Sequence, residues 1–473
     1  MRVLTLGTVV EGLTGRLPEA ADHILTDAVL DSRMAIPGSL FVALPGEHAD
    51  GHDHVAEAFR RGASVALIER DPGPDLTVVD LRSGAPERLP PLPLCLRVEK
   101  TLPALQQIAR SWRSRLPVRV IGITGSVGKS TTKEIAADLL DRRYRTLRNP
   151  GNQNNEIGLP LSLLRLTEAH ERAVLEMGFY VPGEIRLLCE IARPAVGVIT
   201  NIGPVHLERA GTMEAIVASK AELVEALPSA PEGVAILNHD DPNVRPMAQR
   251  TSARVFTYGL NSEADLWADQ IEGLGLEGVR FVLHQGRESF HLRVPMLGQH
   301  SVHTALRAAA VALAEGLGWD DILAGLQTSK TQLRLMAVRG PRGALLLDDT
   351  YNAAPASVLA ALNLLGELDG RRIAVLGDML ELGAQEEAGH RLVGARAAEI
   401  ADELIALGQR ARWIAEEAAR AGLAPARITS LTTNQEVIDL LGGQIGPGDV
   451  VLIKGSRGLH MDEIVAALGE TSS

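Results

Sequence analysis

The chain reads as an α/β protein in three domains, and three observations predict it. Its 473 residues exceed what one ordinary core holds. A hydrophobic strand runs into a glycine loop and then a helix at GITGSVGKSTTKE, residues 122–134. Short apolar runs such as AVLEM and AVGVIT alternate with helical segments, the rhythm of a parallel sheet with crossover helices. Hydrophobic residues make up 45% and charged residues 22%, enough apolar surface to bury. Aromatics are only 3%, so the cores must be built from Leu, Val, Ile and Ala.

Residues 1–98 mix apolar runs (LFVAL, SVALIE) with turn signals (IPGS, PGEHADG), and form a first α/β domain. The Pro-rich stretch RLPPLPLCLRVEK reads as a linker, because repeated Pro breaks helices and sheet ladders. Residues 99–332 open with the amphipathic LPALQQIARSWRSRL, continue into the strand VRVIGIT and the glycine loop, and later carry the helix TMEAIVASKAELVEAL. Residues 333–473 form a third α/β unit, with strands expected at RRIAVLGDM, ELIALG and DVVLIKGS.

Forty-seven basic against 59 acidic residues give a formal charge of −12, which argues against nucleic acid or an anionic membrane as a partner. An anionic substrate must therefore be caught by local charge. Cys95 and Cys189 fit neither a disulfide framework nor a metal-ligand spacing and read as reduced core thiols. The N-terminus lacks a signal-peptide pattern and no apolar run reaches the roughly 20 residues of a membrane span. A cytoplasmic protein, monomeric and without a membrane span, is the expectation.

The glycine loop places backbone N–H groups and a helix N-terminus around phosphate oxygens. Thr124, Gly125, Ser126, Val127, Gly128, Lys129, Ser130 and Thr131 form this candidate nucleotide site, with Lys129 reaching the terminal phosphates and Ser130 a magnesium ion. The strict pattern wants a small residue where Ile123 stands. Lys133, one turn beyond Lys129, reads as an exposed helix charge or a substrate contact.

This loop variant resembles that of the Mur ligases, the ATP-dependent amide-bond synthetases of peptidoglycan precursor assembly. Further segments extend the resemblance over nearly the whole chain: NQNNEIGLPLSLL (152–164), LEMGFYVPGEI (175–185), TNIGPVHLERAGTMEAIVASKAE (200–222), DDTYNAAPASVLAAL (348–362), VLGDMLELG (375–383) and LIKGSRGLHM (452–461). The C-terminal segments are most similar to the members that join D-alanyl-D-alanine to UDP-N-acetylmuramoyl-tripeptide through an acyl phosphate. The resemblance implies an N-terminal UDP-sugar-binding domain, a central P-loop ATPase-like domain and a Rossmann-like C-terminal domain that closes over ATP and binds the dipeptide.

It also implies roles. Glu176 and His206 match metal-binding positions for Mg2+, and Lys220 matches a lysine carbamylated by CO2, which turns an ammonium into an anionic oxygen ligand. Arg334 is assigned to the transferring phosphate and Asp349 to the nucleotide side of the cleft; an interdomain salt bridge is the alternative for both. Asn152, Asn154 and Asn155 are candidates for sugar or peptide contacts, Ser32, Arg33, Gly46 and His52 for uridine or pyrophosphate. Tyr351 and Asn352 are further substrate candidates, and Lys454, Ser456 and Arg457 suit a carboxylate. Two departures stand out: Ser301 and Thr304 where the family has His-Asn-x-x-Asn, and Ala354 where Tyr-Asn-Ala-Asn-Pro is usual. A sister ligase adding one amino acid, a P-loop NTPase and a silent nucleotide-binding protein are the competing readings.

Overall fold

The computed structural model describes residues 2–46, 49–204, 207–328 and 336–469. Helix α1 (Leu6–Thr14) starts on a reciprocal cap between Thr5 and Thr8. The first sheet then carries β1 (Ala28–Val29), β2 (Leu40–Val42), β3 (Val65–Ile68), β4 (Val78–Asp80) and β5 (Leu94–Arg97), with α2 (Val55–Arg60) between β2 and β3. Its order is β1-β2-β3-β5-β4, all parallel. The Pro-rich stretch expected to be a linker is therefore partly wrong. Its LCLR end is β5, an inner strand with Leu94, Cys95 and Leu96 fully buried, and only the preceding prolines lie in the loop. Cys95 and Cys189 are buried free thiols, and burial pushes both up to about 12.

Helix α3 (Thr101–Ser114) joins the first domain to the second. Its Leu105, Ile108 and Trp112 belong to one continuous core that includes Leu40 and Leu67 of the first sheet and Leu159, Leu175 and Leu188 of the second unit.

The central sheet has nine strands in the order β14-β13-β12-β11-β10-β9-β6-β8-β7. These are β6 (Arg119–Thr124), β7 (Thr146–Arg148), β8 (Arg172–Glu176), β9 (Val196–Ile199), β10 (Val234–Asn238), β11 (Arg254–Gly259), β12 (Leu266–Gly273), β13 (Val279–Gln285) and β14 (Glu288–Val294). The strands from β7 to β12 run parallel, while β12, β13 and β14 form an antiparallel extension. That extension was not expected, although β13 and β14 turn through Gly286-Arg287, a two-residue hairpin connection. Connecting helices are α4 (Lys129–Asp141), α5 (Gly158–Leu164), α6 (Glu184–Ala192), α7 (Leu207–Ala210), α8 (Met213–Glu225), α9 (Ser301–Ala314) and α10 (Trp319–Thr328).

The third sheet comprises β15 (Met336–Arg339), β16 (Leu345–Asp348), β17 (Arg371–Gly377), β18 (Glu403–Leu407), β19 (Ile428–Leu431) and β20 (Asp449–Lys454), with α11 (Pro355–Gly366) after β16. Its order is β15-β16-β20-β17-β18-β19, parallel except for β15, as a Rossmann-like unit requires. In open α/β sheets ligands sit at the carboxyl ends of the strands. Here β7, β8, β6 and β9 are neighbours in one sheet, and β16, β20 and β17 in another, so their C-terminal loops gather into two opposed clusters.

Candidate active site

These two clusters line one cleft of about 330 Å³. The central domain contributes Gly125, Ser126, Lys129, Asn152, Asn154, Asn155, Glu176 and Lys220; the third contributes Tyr351, Asn352, Leu380, Glu381, Ser456 and Arg457. Residues nominated from distant parts of the sequence are thus brought together.

The glycine loop leaves β6 and is fastened to the end of β9. Asn201 accepts from the Val127 N–H through Oδ1 (2.9 Å), and the Ser126 N–H donates to the Asn201 carbonyl (2.8 Å). The Gly203 N–H donates to Ser126 Oγ at 2.8 Å. Gly125 (φ 144°) and Gly128 (φ 83°) take backbone conformations that favour glycine. A Cβ on Gly125 would also lie 1.9 Å from Thr200 Oγ1, so both strain and space require glycine there. No side chain caps α4, whose first N–H groups face the loop. The contrast with α6 is instructive: there Glu222 accepts from the N–H groups of Gly183 and Arg186. Lys129 Nζ rests on the loop, donating to the carbonyls of Gly125 (2.9 Å) and Ser126 (3.2 Å). Ser130 and Thr131 follow on the first turn of α4.

Glu176 ends β8 and is buried. Asn154 Nδ2 donates to its Oε1 at 2.8 Å, while the buried Oε2 has no hydrogen-bond partner. The backbone beneath is held by Asn149, whose Oδ1 accepts from the Glu176 N–H and whose Nδ2 donates to the Glu176 carbonyl. Thr124 and Thr200, at the ends of β6 and β9, also hold buried hydroxyls without hydrogen-bond partners. Lys220 is 2% exposed and sits with Nζ 4.7 Å from the Phe179 ring centroid. Burial and, after it, repulsion from Lys129 push its ammonium well below the ordinary lysine range.

In the third domain Lys454 is buried and pairs with Asp349 Oδ2 at 2.6 Å, also donating to the Asn352 carbonyl at 2.8 Å. Asp349 thus joins an ion pair inside its own domain. Ser456 Oγ accepts from the Leu380 N–H, and the Arg457 guanidinium lies 5.6 Å from the Tyr351 ring. Ala354 stands at the N-cap of α11, where Ser357 Oγ accepts from its N–H; an Asn there would act as a helix cap.

Other nominated residues are placed differently. Asn155 Oδ1 accepts from the Gly158 N–H and so shapes the start of α5, while Asn152 is exposed at the rim. Ser32, Arg33, Gly46 and His52 lie outside the residues that line this cleft. His52 is engaged at both ring nitrogens, with Asp50 at 2.6 Å and with the Glu69 N–H at 2.9 Å, and Arg33 pairs with Asp31. Lys133 is a correction: it is buried, donating to the Asn149 carbonyl at 2.6 Å and pairing with Glu134, because α4 packs that face inward. His206 and Arg334 lie outside the described residues. Sequence reasoning missed Asn149 and Asn201; Asn149 precedes a quoted segment and Asn201 lies inside one, but a side chain that braces a loop carries no pattern of its own.

Comparison with known proteins bears on this architecture. Residues 28–113 match the family model described as Mur ligase family, catalytic domain, residues 123–312 the Mur ligase middle domain, and residues 333–457 the Mur ligase, glutamate ligase domain. The chain belongs to the Mur ligase family. It is 34% identical to a UDP-N-acetylmuramoyl-tripeptide--D-alanyl-D-alanine ligase of Bacillus subtilis, over 99% of this chain and 98% of that protein. It is also 34% identical to the ligase of the same description from Escherichia coli, over 99% of both chains. Among solved structures it is similar to MurF from Acinetobacter baumannii (TM-score 0.81, 31% identity, 98% of this chain and 99% of that one). A MurF ligase from Thermotoga maritima in complex with ADP is similar at TM-score 0.77 and 28% identity, covering 94% and 97%.

Two outcomes follow from the geometry. Gly125→Ala, which places a methyl group against Thr200, should weaken ADP binding at least about tenfold in calorimetry, or about 1.4 kcal/mol, while the circular-dichroism spectrum stays unchanged. For Lys220, the native state holds fewer protons than the unfolded chain between the lowered native pKa and the ordinary 10.5, so its contribution to stability rises with pH through that window. Lys220→Met removes the buried amine. In CO2-free buffer at pH 7 it should raise the urea midpoint, with the advantage shrinking as pH climbs toward 10.5.

Proposed function

We propose that this chain joins the carboxylate of UDP-N-acetylmuramoyl-tripeptide to the amine of D-alanyl-D-alanine at the expense of ATP. The observation that carries this reading is the full-length relation to D-alanyl-D-alanine-adding ligases, 34% over 99% of the chain, combined with a cleft that contains the glycine loop and its opposed loops.

A carboxylate is a poor electrophile. Its oxygen attacks the γ-phosphorus, the bond to the β,γ-bridging oxygen breaks and ADP leaves. The amine then attacks the acyl carbon, the carbon–oxygen bond to phosphate breaks, and the nitrogen loses a proton. The loop N–H groups and Lys129 hold the phosphates and offset charge on the transferring group. Lys129 exchanges its loop carbonyls for phosphate oxygens in doing so. Closure of the third domain excludes water that would hydrolyse the acyl phosphate.

The residues fit a magnesium ion. Magnesium is held in part by phosphates and water, so a full protein cage is not required. Glu176 Oε2 is the buried oxygen without a partner, and Ser130 supplies a hydroxyl on the first turn of α4. Bound there, the ion neutralises phosphate charge. Lys220 also fits the carbamate reading: CO2 reacts with a neutral amine, and burial beside Lys129 favours that form. Tyr351, Asn352, Ser456 and Arg457 face the dipeptide side, Asn152 and Asn154 the tripeptide side. Ser32, Arg33, Gly46 and His52 remain the proposed nucleotide-sugar end, with His52 bracing its loop. His206 and Arg334 complete the proposed metal and phosphate contacts. No helix among the described residues is long and apolar enough to cross a membrane.

The test is phosphate release with ATP, magnesium and the UDP-muramoyl tripeptide, comparing D-alanyl-D-alanine, single amino acids and no acceptor. The expected result is release that requires the dipeptide, with a product heavier by one dipeptide less water. Release with a single amino acid would assign a sister ligase, and acceptor-independent release would overturn the ligase reading.

A further inference from the structure

Arg307 is a buried charge that the chemistry above does not use. It lies on α9 amid buried Ala305, Leu306, Ala308 and Ala309, and is itself only 3% exposed. Among the described residues no carboxylate lies within ion-pair distance of it. Its partners are neutral: Nε donates to Thr132 Oγ1 at 2.9 Å, one Nη donates to Thr304 Oγ1 at 2.8 Å, and the Tyr258 ring centroid is 5.8 Å away. A guanidinium buried without a counter-ion is costly, and the cost is offset when an anion arrives nearby.

Its place says which anion. Thr132 Oγ1, which accepts from Arg307, donates in turn to the Gly128 carbonyl at 2.7 Å. The same Nη lies only 2.6 Å from where a Cβ on Gly128 would stand, so the charge presses directly against the glycine loop. Thr304 and Ser301 stand in the altered His-Ser-x-x-Thr element, and each hydroxyl is already engaged within the protein. Ser301 Oγ donates to the Leu297 carbonyl at 2.6 Å, and Thr304 serves Arg307. A hydroxyl three residues before the arginine on one helix face both leaves room for the guanidinium and fixes it.

We propose that Arg307 is a positioning residue for the nucleotide phosphates: a buried charge under the loop that strengthens its hold on polyphosphate and moves nucleotide affinity from the base toward the phosphates. The inference rests on the glycine loop being the ATP site, and wild-type binding tests that premise separately.

Calorimetry would compare ATP, inorganic tripolyphosphate and adenosine on the wild-type protein, Arg307→Met and Arg307→Lys, with KM for ATP and kcat from phosphate release. Expected is a loss of about tenfold or more for both ATP and tripolyphosphate in Arg307→Met, or about 1.4 kcal/mol. KM for ATP should rise by the same factor with kcat within about threefold, and Arg307→Lys should recover part of the loss. If Arg307→Met fails to fold, Thr304→Val, which removes the hydroxyl that fixes the guanidinium, should show a smaller loss with the same pattern. Unchanged tripolyphosphate affinity in folded variants, or a loss shared by adenosine, would overturn the inference. A wild-type protein that binds no ATP would instead overturn the reading of the site.

Discussion

Everything in this molecule turns on how an acidic chain places a few buried basic side chains beside the loops of its cleft. The formal charge is −12, yet Lys129, Arg307, Lys454 and Arg457 gather around two sets of strand ends, with Lys220 beside them as an amine that burial drives toward its neutral form. Lys454 holds the Asp349 carboxylate, Lys220 is buried against Phe179 and near Lys129, and Arg307 is buried against threonine hydroxyls. Positive charges so placed repel one another and pay desolvation, which a polyphosphate and a carboxylate relieve. Binding and catalysis therefore share one electrostatic origin: the site is complementary to several anions at once.

Topology makes that arrangement inexpensive in chain length. Four neighbouring strands, β7, β8, β6 and β9, deliver the asparagines, Glu176, the glycine loop and Asn201 to one edge. In the third domain β20 lies between β16 and β17, so Asp349, Lys454, Ser456 and Leu380 become neighbours although separated by tens of residues in sequence. The continuous core through α3 fixes the first sheet to the second. Among the described residues no comparable apolar core joins the third sheet to the central one: its own clusters hold residues from 338 onward, leaving the cleft between units with separate cores.

Much of this was legible in the sequence because the relevant signals are local. The strand–glycine–Lys-Ser succession, the apolar runs that became β8, β9, β17 and β20, and the amphipathic α3 each announce themselves within about fifteen residues. What stayed hidden depends on neighbours far along the chain. β5 escaped because its prolines precede rather than interrupt the buried LCLR segment. Lys133 looked exposed because helical spacing gives a face and not its packing partner. Asn149 stands just before a quoted segment and Asn201 within one, but neither carries a spacing that announces a bracing role. Arg307 could be seen as an odd residue in an alanine-rich helix, but its meaning came from the glycine loop lying against it.

The central claim is that this charged cleft brings the substrate carboxylate onto the terminal phosphate before the amide forms. Tripeptide substrate labelled with 18O in both oxygens of the reacting carboxylate, turned over with ATP and D-alanyl-D-alanine, tests this most directly by mass spectrometry of the released phosphate. The account predicts one 18O in each phosphate and one retained in the amide carbonyl. Phosphate released without label would show that the carboxylate was never phosphorylated, and would contradict it.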